Sequence, residues 1–247
     1  MGGRSQLLES GSKSDQEPGP PKSFLSNRAL LLPYLAPYVA YVGLGAFRLP
    51  TEWIYALRLV AVPALLAWGW RWFPRLTGPR SPLASLGVGA AAGLVGTALW
   101  VALLWPFVEQ GGTAWTGLAF GLRLTAAGLV VPVFEELLMR GYFLRVALQW
   151  DQARREGAKD ALLAALDGRS LLDVEAGAWS PWAATISTAA FTLGHDFVEW
   201  PACVAYGLLM IWLWAVRRDL LSCIVAHGVT NVALAVFVGV TGRWQFW

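Results

Sequence analysis

Three polar clusters interrupt stretches of this sequence that are otherwise apolar. Their side chains can exchange protons or hydrogen bonds, and in chain order they are Glu135, Glu136, Arg140, His195, His227 and Asn231. The sequence has two histidines, and both belong to these clusters. A charge at the centre of a bilayer costs roughly 2.5–3.5 kcal/mol, so polar groups in an apolar segment indicate a functional site. Carboxylates and imidazoles are the usual groups for acid–base chemistry.

The spacing within the clusters is meaningful if each lies on a helix, because residues four apart share one helical face. Glu136 can then reach Arg140, and His227 and Asn231 stack one turn apart. Glu135 is rotated by about 100° from Glu136. We therefore expect one carboxylate to pair with the arginine while the other faces a cavity.

The composition places these clusters in a membrane. Hydrophobic residues make up 56% of the chain, charged residues 14%, and the mean hydropathy is +0.50, which is too apolar for an ordinary soluble domain. Apolar runs long enough to cross a bilayer predict about seven spans. They cover residues 29–47, 53–70, 83–108, 116–149, 176–194, 200–216 and 220–242. The predicted fold is an all-α, polytopic membrane helix bundle.

Hydrophilic segments give the organisation and the orientation. Residues 1–28 are polar and predict a disordered cytosolic tail, followed by one membrane-embedded domain over residues 29–247. Residues 151–175 predict a cytosolic loop with a short helix at 161–166. Most Lys and Arg residues fall in alternate loops, which predicts a cytoplasmic amino terminus and an outside carboxyl terminus. The same distribution explains the net charge of +3 without a nucleic-acid partner.

The clusters, read as motifs, resemble a known family. Glu-Glu-x-x-x-Arg occupies 135–140, Phe-x-x-x-His occupies 191–195, and His-x-x-x-Asn occupies 227–231. These three motifs, in this order, are similar to those of the CAAX proteases and bacteriocin-processing enzymes, which include the Ras-converting CAAX endopeptidase. The resemblance covers residues 120–240.

The resemblance implies an intramembrane endopeptidase. Glu135 and His195 would hold and deprotonate a water, while His227 and Asn231 would donate hydrogen bonds to the oxyanion of the tetrahedral intermediate. Glu136 and Arg140 would lie behind these four residues and hold them in position without contacting the substrate. The implied substrate is a membrane-associated protein or peptide, which in the eukaryotic members is prenylated and loses its last three residues. No cofactor is implied by this mechanism.

Three alternatives remain open at this point. Glu135, His195 and His227 form a recognised zinc set with an open position for water, although the His-Glu-x-x-His string of soluble zinc proteases is absent. A catalytically inactive member of the family would instead act as a scaffold for another membrane protein. A proton-coupled transporter would use the same glutamate and histidines as a relay.

The depth of the site places a condition on the fourth span. If that span began at residue 116, Glu135 would lie near the cytoplasmic surface, far from His195. We therefore expect the span to cover residues 124–149, with residues 113–123 as an outer turn and with a kink at Pro132.

Overall fold

A computed structural model describes residues 25–109 and 111–247 of the protein. Of the described residues, 78% are helical and none lies in a strand, which confirms the predicted all-α class. The α-helices of these residues are α1 (Asn27–Leu44), α2 (Thr51–Gly69), α3 (Pro82–Leu104), α4 (Gly117–Thr125), α5 (Val131–Glu136), α6 (Leu144–Arg155), α7 (Ala161–Asp167), α8 (Pro181–Leu193), α9 (Trp200–Arg217) and α10 (Leu220–Thr241).

Five helical segments in the described part are long and apolar enough to cross a bilayer. They are Thr51–Trp72, Pro82–Phe107, Gly117–Arg155, Phe197–Arg217 and Leu220–Thr241. Large apolar side chains point outward from them; Val60, for example, is 71% exposed and Leu83 is 78% exposed. A bundle that presents such a surface is a multi-pass membrane protein. The predicted count of about seven spans is not confirmed.

The other two predicted spans correspond to helices outside this set. α1 overlaps the first of them, the run 29–47, and α8 occupies part of the run 176–194. Because α8 has 13 residues, it is about 20 Å long and shorter than the hydrocarbon core. Its start is fixed by Ser180, whose side chain accepts the backbone N–H of Ala183, and by Pro181 in the first turn.

The predicted fourth span is one helix of 39 residues, Gly117–Arg155, which we call the long helix. It starts seven residues before the expected position 124, because the Thr116 side chain caps it by accepting the Ala119 N–H. The expected outer turn over 113–123 is therefore wrong for its second half. Two π-helical segments, Ala126–Val130 and Leu137–Phe143, interrupt the long helix and flank α5.

α10, which carries His227 and Asn231, packs closely against α3. A side chain at Gly93 would collide with the carbonyl oxygen of Ala226, and one at Gly89 with the carbonyl oxygen of Ser222. Glycines four residues apart allow two membrane helices to approach until their backbones touch. This contact fixes the position of α10 in the bundle.

The hydrophilic insertion 151–175 is folded against the bundle. The predicted short helix occurs as α7. Asn27, which is fully buried, donates hydrogen bonds to Gln149 Oε1 at 2.8 Å and to the Ala165 carbonyl at 2.7 Å, and its Oδ1 accepts the Leu171 N–H. The last two residues of the predicted tail, 27 and 28, thus belong to α1. Residues 1–24 of that prediction lie outside the described residues.

Candidate active site

The four residues expected to act on the substrate line one cavity of about 480 Å³. Glu135 projects from α5, His195 follows the end of α8, and His227 and Asn231 lie one turn apart on α10. The wall of the cavity also includes the end of α3, the turn that precedes α9, Tyr206 on α9, and residues 245–247. These segments belong to the same end of the bundle, because successive helices alternate in direction. The cavity is therefore a pocket at one end of the membrane domain.

Glu136 and Arg140 lie beside this cavity, inside the protein. The Arg140 guanidinium donates to Glu136 Oε1 at 3.2 Å and to the Gly207 carbonyl at 3.4 Å, and both side chains of the pair are fully buried. Glu136 Oε1 also contacts Nδ1 of His227 at 3.0 Å. The carboxylate thus connects the arginine on the long helix with the imidazole on α10, and it sets the orientation of that imidazole.

Glu135 faces the other side of the same imidazole. Its Oε2 lies 3.9 Å from His227 Nε2, and its side chain is 13% exposed. The two adjacent carboxylates therefore contact opposite nitrogens of one ring. The sequence predicted that they would have different environments, and in the structure Glu136 is the one paired with arginine.

His195 is held in a turn. It lies two residues beyond the end of α8 and one beyond the apolar run 176–194, so it is not part of a membrane helix. Its Nδ1 is 2.9 Å from the Phe191 carbonyl oxygen, an acceptor, so Nδ1 carries the proton in the neutral ring and Nε2 keeps its lone pair. The rings of Phe191 and Trp100 pack against the imidazole, with centroids 4.5 Å and 5.7 Å away.

Asn231 forms a hydrogen bond with a backbone carbonyl of the long helix that has no partner within the helix. The Val131 N–H bonds the Ala126 carbonyl across the π-helical segment, and Pro132 has no N–H, so the Ala127 carbonyl lacks its partner on either register. Asn231 Nδ2 donates to that carbonyl at 2.8 Å. One of its two amide hydrogens is used in this way, and none of the described residues accepts the other. Pro132 therefore contributes to the site by leaving the Ala127 carbonyl available to Asn231.

The structure does not gather a metal-binding set. Among residues 25–109 and 111–247, no three His, Cys, Asp or Glu side chains are grouped so that they would hold a metal ion. Both imidazoles are nevertheless anchored through Nδ1, on a carboxylate or a carbonyl, which leaves Nε2 directed elsewhere. This anchoring suits a ring that binds a water or an oxyanion.

Sequence reasoning missed two side chains of this cavity. Arg123, a charged residue within the apolar run 116–149, was not among the predicted site residues, and neither was Trp247. Both line the cavity wall. The only sequence signal for Arg123 was its position in an apolar segment, and there was none for Trp247.

A comparison with known families identifies the chain. A family model described as Rce1-like, type II CAAX prenyl endopeptidase Rce1-like, matches residues 93–233. The chain belongs to this family. All six motif residues fall within the matched part, whereas α1, α2 and the first half of α3 precede it. No curated protein and no solved structure gives a significant match. Membership in the Rce1-like family implies a protease that acts on a membrane-associated protein.

Proposed function

We propose that this chain is an intramembrane endopeptidase that hydrolyses a peptide bond of a membrane-associated protein or peptide. One observation carries the proposal: Glu135, His195, His227 and Asn231, from three separate parts of the bundle, line a single cavity. The Rce1-like family supplies the reaction class.

The attacking water is held by Glu135 and His195 in this proposal. The Glu135 carboxylate faces the cavity and has no arginine partner among the described residues, so it is free to accept the proton of the water. Nε2 of His195 accepts a second hydrogen bond, since Nδ1 is already directed at the Phe191 carbonyl. The two contacts orient the oxygen of the water towards the scissile carbonyl.

The oxyanion is stabilised by His227 and Asn231. In this proposal Nε2 of His227 donates to the oxyanion while Nδ1 donates to Glu136, so the ring carries both protons. The carboxylates of Glu135 and Glu136, on either side of the ring, balance its positive charge. The free amide hydrogen of Asn231 is the second donor. Each donor of this kind contributes roughly 3–4 kcal/mol to transition-state stabilisation in hydrolases. Glu136 and Arg140 hold the imidazole in place and do not touch the substrate.

A prenylated substrate fits the surroundings of the cavity. An apolar groove of about 660 Å³ lies next to it, between Phe107, which follows α3, and the first turn of α9 with the residues just before it. Val198 lines both the groove and the cavity. A lipid attached near the scissile bond can therefore lie in the groove while the peptide enters the cavity. The partners are then the substrate and the bilayer, and no nucleic acid is involved.

Hydrolysis of a synthetic peptide tests this function. The purified protein in detergent is expected to cleave a fluorogenic farnesylated peptide and to cleave its unprenylated form more slowly. Absence of cleavage by a correctly folded protein would favour the scaffold alternative. We expect the same rate in the presence of a chelator, because the mechanism needs no cofactor. Loss of activity with the chelator and recovery with zinc would instead make Glu135, His195 and His227 metal ligands.

The orientation in the membrane follows from the loop charges, with a cytoplasmic amino terminus and an outside carboxyl terminus. Cys203 and Cys223 are buried, so a cysteine introduced at an exposed position reports its own side of the membrane. In intact cells, an impermeant maleimide is expected to label Gly111→Cys and not Lys159→Cys. Gly111 has free space for a side chain, and Lys159 is exposed. The reverse labelling pattern would invert the topology.

A further inference from the structure

Arg123 lines the cavity around Glu135, and no described residue is its charged partner. Its guanidinium carbon lies 4.6 Å from the ring centroid of Trp115 and 4.6 Å from that of Trp247. Among the described residues, no carboxylate forms an ion pair with it and no side-chain hydrogen bond involves it. Stacking uses the faces of the planar guanidinium and leaves the N–H groups along its edge free.

A second free donor lies beside it. Nε1 of Trp247 is buried and has no hydrogen-bond partner in the described structure, although a buried indole N–H normally finds an acceptor. Trp247 and Arg123 both line the cavity and touch each other. Two adjacent donor groups without an acceptor form a site for an anion, and the guanidinium edge matches a carboxylate in a bidentate manner.

The charges elsewhere in the cavity restrict where an anion can bind. Glu135, Asp196 and Glu199 also line it, and their carboxylates repel a negatively charged group. Among the described lining residues Arg123 is the one arginine or lysine, and the protonated His227 is already flanked by the carboxylates of Glu135 and Glu136. A singly charged carboxylate is therefore accommodated at the Arg123 end and excluded from the region around Glu135.

We propose that Arg123, together with the Trp247 indole N–H, binds the free α-carboxylate of the peptide substrate, making Arg123 a specificity-determining residue. This inference rests on the proposed endopeptidase function. Arg123 and Glu135 are twelve residues apart on the long helix, a rise of roughly 18 Å. An extended peptide covers that distance with about five residues. The scissile bond is thus selected by its distance from the end of the substrate chain.

Two peptides that differ at one group test the proposal. A farnesylated peptide with a free carboxyl terminus is compared with the same peptide ending in a carboxamide. The unmodified protein is expected to prefer the free acid by roughly 10- to 100-fold in kcat/KM, as for a charge-assisted bidentate contact. In Arg123→Gln the preference is expected to fall to about one, and in Trp247→Phe, which keeps the stacking ring, to an intermediate value.

Arg58→Gln is the matched control. Arg58 is also an arginine in an apolar span that stacks on aromatic rings, those of Tyr41 and Tyr55, but its Nε donates to the Tyr41 carbonyl and it does not line the cavity. We expect this variant to keep the full preference for the acid. An equal preference for the acid in Arg123→Gln and in the unmodified protein would overturn the proposal.

Binding separates this inference from the proposed function. Affinities of the two peptides, carrying a fluorophore, are measured on the Glu135→Gln protein, which does not need to turn them over. If neither peptide is cleaved by the unmodified protein, the endopeptidase function fails, whereas the affinity ratio still reports the carboxylate site. If the acid and the carboxamide peptide bind with equal affinity, the proposed carboxylate site is overturned, and this result does not depend on an Arg123 variant. The binding measurement is also made with anionic and with neutral phospholipid added. If anionic phospholipid displaces the acid peptide and neutral phospholipid does not, the site binds a lipid headgroup, and the proposal is overturned.

Discussion

Glu135→Gln is expected to lower kcat/KM for a farnesylated peptide by about two to four orders of magnitude, the usual contribution of a general base. Glutamine preserves the shape of the side chain and removes its ability to accept a proton. Because the Glu135 side chain faces the cavity and is 13% exposed, we expect little change in the thermal unfolding of the protein. The measurement is a progress curve of fluorogenic cleavage in detergent.

Glu199→Gln is the control for this experiment. Glu199 lines the same cavity and carries the same charge, but it belongs to a capping box with Asp196 in the short 3-10 turn that precedes α9, a role that glutamine also fulfils. We expect its activity to stay within a few-fold of the unmodified protein. Comparable losses in the two variants would mean that the charge of the cavity matters and that Glu135 has no special role as a base.

Glu136→Leu is expected to destabilise the protein by about 3–5 kcal/mol, because it leaves the Arg140 guanidinium buried without its counter-charge. Both side chains are fully buried and their pair is 3.2 Å long. The same change removes the acceptor of His227 Nδ1, so we expect activity to be lost as well. Thermal unfolding followed by tryptophan fluorescence measures the first effect, and peptide cleavage the second.

The double variant Glu136→Leu, Arg140→Met distinguishes the two effects. Replacing both members of a buried ion pair by apolar residues is often neutral for stability, so we expect most of the lost stability to return. Activity should remain low, since His227 still lacks its acceptor. A single variant as stable as the unmodified protein, or a double variant with full activity, would contradict the role assigned to Glu136.

The fold class and the polar residues around the cavity were accessible from the sequence. A glutamate pair, an arginine and two histidines within apolar segments have few explanations other than a site, and the i, i+4 spacing predicted the Glu136–Arg140 contact. The hydrophobic runs predicted the positions of the helices because a membrane helix must be apolar over most of its length. The five helical segments that are long and apolar enough to cross a bilayer all overlap such runs.

The exact ends of the helices and the contacts around the cavity were harder to predict from the sequence. A 19-residue apolar run predicted a span at 176–194, but a serine cap and Pro181 start α8 late, and His195 falls beyond its end. The π-helical segments leave no sequence signature that hydropathy detects, so the Asn231 contact with the Ala127 carbonyl was not predicted. Arg123 was missed because its environment depends on Trp247, which is distant in sequence.

The pocket at one end of the bundle has a consequence for the membrane itself. At the opposite end, the Arg145 guanidinium donates to the carbonyls of Leu171 and Val174, and the Gln149 amide donates to that of Ser170, so the insertion is tied to the long helix there. A second cavity of about 620 Å³ lies beside these contacts and shares no lining residue with the cavity around Glu135. The water that hydrolysis consumes therefore needs to enter from one side of the membrane only.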